Sequence, residues 1–154
     1  MISLGDEIFN SMKRYNSMCA LKIGSRQISS DELNNKALSV AGFLSNHGMV
    51  NRNVGIVTQR SFSAYAGILG TIYAGCAYVP INPKYPKERI SDIVKQADIK
   101  VLVGSESGWG EMRDKIHDID GVKYVLFPEA REIFLEKPLI GVFESQLANF
   151  EILS

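Results

Sequence analysis

Between Arg60 and Lys84 the chain carries no charged residue, and that interval limits the possible folds more than any other feature. A membrane-spanning helix needs about 20 mostly apolar residues. Here Ser61, Ser63, Gly67, Gly70, Thr71, Gly75, Pro80 and Asn82 dilute the apolar content, and the last third, with its proline, is unsuited to helix. The interval reads instead as a helix over residues 61–74, apolar on nearly all sides, followed by a strand over 77–81 closed by Asn82 and Pro83. A helix without a polar face needs cover from more than one direction, so the rest of the chain must be layered around it.

The flanking sequence supplies such layers. Residues 6–17 predict a first helix with Ile8, Met12 and Tyr15 on one face. Residues 19–29 form two short strand-like runs about Gly24 and Ser25, the pattern of a hairpin. Ser29 followed by Glu32 predicts a capping box, and Leu33, Ala37, Val40, Ala41 and Leu44 continue at helical spacing until Gly48. Residues 54–58 are a β-branched apolar run, read as a buried strand. Pro86 opens a helix whose Ile90, Ile93, Val94 and Ala97 make one apolar face. Residues 100–103 predict a third strand, 109–118 a weaker helix and 122–127 a fourth strand. Beyond Pro128 the pattern decays, with a helix suggested over 129–136 and a strand over 139–143. Strand and helix alternate with short connections, which predicts an α/β fold: a mostly parallel sheet, doubly wound, with helices on both faces.

Composition narrows the function classes. With 154 residues, 45% of them hydrophobic, one domain burying about two thirds of its unfolded surface is expected. Seventeen basic and seventeen acidic side chains cancel, leaving no electrostatic footprint for nucleic acid or an anionic membrane. Cys19 and Cys76 have no metal-ligand spacing and read as buried free thiols in a reducing cytosol, the alternative being a disulfide. No basic segment followed by an apolar run opens the chain, so a cytoplasmic protein is expected.

Two motifs suggest a family. Residues 72–86 read Ile-Tyr-Ala-Gly-Cys-Ala-Tyr-Val-Pro-Ile-Asn-Pro-Lys-Tyr-Pro, and residues 28–33 read Ile-Ser-Ser-Asp-Glu-Leu. The first resembles a signature of the adenylate-forming ligases, which in the amino-acid-activating branch runs Leu-Lys-Ala-Gly-x-Ala-Tyr-Val/Leu-Pro-Ile/Leu-Asp-Pro. The second resembles the shorter Leu-Thr/Ser-Tyr-x-Glu-Leu that precedes it. Ala74, Gly75, Ala77, Tyr78, Val79, Pro80, Ile81 and Pro83 agree, while Ser30, Ile72, Tyr73 and Asn82 depart. The resemblance spans about residues 5–127. It implies that residues 1–128 are the N-terminal α/β subdomain of an adenylation domain, with 129–154 a tail leading toward a phosphate-loop region.

That resemblance implies, for a complete enzyme, Mg-ATP as co-substrate, an acyl-AMP intermediate and transfer to a thiol such as that of a phosphopantetheine carrier protein. No stretch of this sequence matches the family's phosphate loop or catalytic lysine. The expectation is therefore an N-terminal fragment, inactive alone, with no catalytic, cofactor or metal residues, whose partners are the rest of the enzyme or a second copy of itself. A free-standing α/β module binding a ligand or protein, and a structural homodimer subunit, are the alternatives.

Other polar residues are weaker candidates. Gln59, Arg60 and Ser61 follow a predicted strand at the end where open α/β sheets bind ligands, with Arg60 read as a loop arginine and Ser61 as a helix cap. The glycines at 104, 108 and 110 lack a phosphate-binding fingerprint and read as a loop between strand and helix. His47 and His117 sit near helix ends, where an imidazolium complements the macrodipole. Lys84, Lys87 and Arg89 read as a solvated face, or as a patch for an acidic partner.

Overall fold

The computed structural model describes residues 3–15, 17–116, 119–135 and 138–150. Helix α1 (Leu4–Arg14) leads into a hairpin of β1 (Cys19–Ile23) and β2 (Arg26–Ser29), then α2 (Ser30–Asn46). Strand β3 (Asn53–Val57), α3 (Phe62–Tyr73), β4 (Ala77–Ile81), α4 (Lys87–Gln96), β5 (Val101–Val103), α5 (Glu106–Ile116) and β6 (Tyr124–Phe127) then alternate. Strand β7 (Ile140–Phe143), a one-turn α6 (Glu144–Leu147) and a 3-10 turn (Ala148–Phe150) complete the described chain.

The main sheet has the order β4-β3-β5-β6-β7 with every pair parallel, while β1 and β2 form a separate antiparallel pair. Its strands are apolar on both faces because helices cover both. Val54, Ile56, Val101, Val103 and Leu126 pack with Val40, Phe43 and Leu44 of α2 and Ala64 of α3. Val57, Leu102, Val125 and Phe127 face the other way, against Ile90 and Val94 of α4 and Trp109, Met112 and Ile116 of α5. The helical half of the uncharged interval is central to this arrangement, whereas its strand half, expected to be buried, is the end strand β4, with Ala77, Tyr78 and Pro80 exposed. Helix α3 is wedged between α2 and the sheet, with Gly67 against Val103 and Gly70 against Val40.

Local chemistry sets the element ends. Ser61 caps α3, its hydroxyl accepting from the Ala64 N–H at 3.1 Å. Gly75 leaves that helix at φ 73°, a left-handed conformation that glycine adopts without strain. Strand β4 is an edge. Ala77 N–H bonds to Arg52 and Ile81 C=O accepts from Thr58, so strand alternation turns Pro80, which has no N–H, toward the open side, where a proline is tolerated.

Several expectations are corrected. Helix α5 begins at Glu106, so Gly108 and Gly110 are helical rather than loop residues. The Ser105 hydroxyl accepts from the Gly108 N–H at 3.2 Å and starts the helix, and a side chain at 108 would strike Gln59. Residues 129–135 are not helical, because Ile133 and Leu135 pack on the core while Phe134 between them is 76% exposed, the two-residue alternation of extended chain. The box at Ser29 is half-formed. Its hydroxyl caps Glu32 N–H, but the Glu32 carboxylate turns to Arg26, and the complete box is at Ser3 and Asp6. Both cysteines are free, yet Cys19 is exposed and only Cys76 is half-buried.

One packing contact carries a pH signature. The Tyr73 hydroxyl donates to Asn34 Oδ1 at 2.8 Å between α3 and α2, and burial pushes its phenol from 10.0 up to about 12. The folded state therefore holds this proton where the unfolded chain has lost it. The contribution is intact below pH 10 and is lost as pH rises from there toward 12. Tyrosine absorbance near alkaline pH should show one late-ionising phenol, and Tyr73→Phe should remove it while costing about 1 kcal/mol.

Candidate functional site

Chain order reverses between β3 and β5, since β4 lies on one side of β3 and every later strand on the other. At such a switch point the loops leaving the carboxyl ends diverge and open a crevice. A cleft of about 390 Å³ occupies this position, lined by Ser61, Ser63, Gly104, Ser105, Glu106, Ser107, Phe127, Glu129 and Ala130. Phe127 is the last residue of β6, and its ring meets Trp109 edge-on at 5.4 Å. Ser61 and Ser105 cap α3 and α5, so both helix starts border the cleft.

The polar wall is centred on Glu129. Arg26, on the hairpin, donates from Nη1 to Glu129 Oε1 at 2.8 Å and from Nη2 to Glu32 Oε1 at 2.9 Å. These hydrogen bonds, Glu129's first, raise the already high pKa of Arg26 further. The buried Ser63 hydroxyl lies 3.3 Å from the second Glu129 oxygen, and the Arg26 guanidinium sits 4.9 Å from the Phe62 ring centroid.

The strand-end candidates part company here. Ser61 lines the cleft. Arg60 turns away and donates to the Lys22 carbonyl at 3.2 Å. The Gln59 side-chain oxygen is buried with no hydrogen-bond partner among the described residues, against Gly108. His47 stacks on Phe43 at 3.9 Å with Nδ1 2.9 Å from the Phe43 carbonyl, a helix-end packing role, and His117 lies outside the described residues. Lys84 and Arg89 are exposed, Arg89 lying 3.9 Å from the Tyr85 ring centroid. Arg26, Ser63 and Glu129 carry no motif, and only position marks them: Glu129 lies two residues past a strand end, Ser63 in the first turn of a helix.

The charged residues lining the cleft, Glu106 and Glu129, are both acidic. A triphosphate would be repelled there, and the neighbouring guanidinium is already engaged by two carboxylates. The lining of this cleft therefore does not fit Mg-ATP. Among the described residues no group of three His, Cys, Asp or Glu could hold a metal ion, and no helix is long and apolar enough to cross a membrane.

Comparison with known proteins places this fold. The family model described as AMP-binding enzyme matches residues 8–140. This chain belongs to the AMP-binding enzyme family. It is 46% identical over 84 residues to bacitracin synthase 1 of Bacillus licheniformis, a match covering 54% of this chain and 2% of that protein. It is 32% identical over 103 residues to polyketide synthase PksN of Bacillus subtilis, covering 66% of this chain and 2% of that one. Among solved structures, IdnL7 superposes with a TM-score of 0.80 at 28% identity, over 96% of this chain and 30% of its own. The nonribosomal peptide synthetase FmoA3, crystallised with alpha-methyl-L-serine-AMP, gives a TM-score of 0.74 at 23% identity over 92% of this chain and 16% of its own. This AMP-binding family member thus spans a small part of the relatives it matches, and carries the N-terminal α/β portion of their fold.

Proposed function

We propose that this chain supplies the N-terminal scaffold of an ATP-dependent ligase that activates an amino acid as its adenylate, and that it is inactive alone. The observation that carries this reading is the 46% identity to bacitracin synthase 1, a protein whose name declares the synthesis of bacitracin. Residues 1–128 are the α/β subdomain, and 129–154, with β7 as edge strand, lead toward the phosphate-loop region. The activation chemistry belongs to residues outside this chain, as does recognition of a phosphopantetheine carrier protein. The acidic strand-end cleft supports that division, because it offers a nucleotide no positive counterpart. The working compartment on this reading is the cytoplasm.

Calorimetric titration of the 154-residue chain with Mg-ATP tests it. No heat of binding is expected, and saturable one-to-one binding would sink the scaffold reading by showing a nucleotide site within the chain. Light scattering on the same sample addresses self-association, which the 76% exposed Phe134 and 45% exposed Ile140 at the β7 side favour.

A further inference from the structure

We propose that residues 144–150 are a strap seated in a notch that Gly42 leaves on α2, and that this strap lifts off the helix without disturbing the sheet. The inference rests on packing and does not depend on the ligase reading.

Gly42 is buried in the interior of α2 and is the one glycine of that helix. Glycine weakens a helix interior relative to alanine, and the helical backbone at 42 uses none of its conformational freedom. What excludes a side chain there is the far end of the described chain. A Cβ at 42 would overlap the Phe150 carbonyl oxygen, and would stand 2.6 Å from the Phe150 carbonyl carbon and 3.0 Å from its Cβ. The Phe150 carbonyl thus rests on the Gly42 Cα, a close approach of backbone to helix that glycine permits. The Phe150 ring completes the seat, meeting Phe43 edge-on at 5.4 Å and His47 at 5.7 Å.

The strap is attached in a way that lets it leave. Backbone bonding to the rest of the fold ends at Glu144, whose N–H donates to the Ala130 carbonyl. Beyond it, among the described residues, no backbone–backbone hydrogen bond ties 145–150 to another element. At the base, the Phe143 N–H donates to Gln146 Oε1 at 2.9 Å, and Lys36 Nζ pairs with Glu144 Oε1 at 3.1 Å in a partly solvated, weak ion pair. Apolar anchoring comes from Leu147 and Phe150. A four-residue helix and a 3-10 turn are too short to persist undocked. Lifting the strap therefore melts its own hydrogen bonds and bares one side of Phe43, while every ladder of the five-stranded sheet stays closed. On the ligase reading, Gly42 thereby positions the chain that leads toward the phosphate-loop region.

Amide hydrogen exchange and the His47 ring signals, read on the full chain, test this. Gly42→Ala should speed exchange at residues 147–150 by about tenfold or more and leave the β3, β5 and β6 amides unchanged. The α2 amides should exchange no faster, because alanine favours the helix. The His47 ring protons should move as they lose the Phe150 ring. Strap amides that exchange equally in wild type and variant, or that accelerate only together with β6, would overturn the proposal. If Gly42→Ala does not fold, Phe150→Ala decides, since it inserts nothing into α2: it should speed the same amides, and unchanged strap exchange would overturn the seat.

Discussion

Phe127→Ala is expected to destabilise the protein by about 3–5 kcal/mol, a large share of the roughly 5–15 kcal/mol that holds a typical domain together. Phe127 is fully buried at the end of β6. Its ring stacks on Phe143 at 5.6 Å and 10°, and meets Trp109 edge-on at 88°. The same ring is part of the cleft lining, so truncation leaves a void that opens toward solvent. Trp109 Nε1 is buried without a hydrogen-bond partner among the described residues. Urea denaturation measures the loss. Phe127→Leu, which keeps most of the volume, should cost about 1.5 kcal/mol or less. Equal midpoints for wild type and the alanine variant would show that β6 is not packed as described.

The second large effect reverses the usual sign of a glycine substitution. In an exposed helix interior, Gly→Ala stabilises by about 1 kcal/mol. At Gly70 in α3, a Cβ would lie 2.6 Å from Val40 Cβ and 2.7 Å from the Ala37 carbonyl oxygen. Both belong to the adjacent helix α2 and neither can rotate aside, so the helices must separate. Gly70→Ala should therefore cost about 2–3 kcal/mol. Gly110→Ala is the internal control, because that α5 position has open space around it and should gain about 0.5–1 kcal/mol. Thermal unfolding of the pair settles the matter: a stabilised Gly70 variant would mean that α2 and α3 do not meet at this point.

The parts of the fold that are legible in the sequence are those where periodicity and punctuation agree. The strand at 77–81 is legible to the residue, because Gly75 and Asn82-Pro83 bracket a short run that holds Tyr78, Val79 and Ile81. The neighbouring α3 is legible because an uncharged helix has few places to go. The start of α5 is hidden because Gly108 and Gly110 mimic a loop, and their packing against Gln59 or open space appears only in three dimensions. Residues 129–135 carry enough helix-forming side chains to mislead, but Ile133 and Leu135 are pulled one way and Phe134 the other. The cleft is partly legible. Ser61 lies at a strand end, but Arg26 and Glu129 are 103 residues apart in sequence, and no local pattern links a hairpin arginine to a carboxylate past a distant strand.

The proline in β4 has a consequence for how the sheet is made. Because Pro80 turns its missing donor outward, the β4 side is closed to further strands as soon as it forms. On the opposite side β5 pairs with β3, β6 with β5 and β7 with β6. The spatial order of these strands is thus their order in the chain. A chain that folded as it was made would therefore present its newest strand as the open edge, with the proline-blunted rim already behind it.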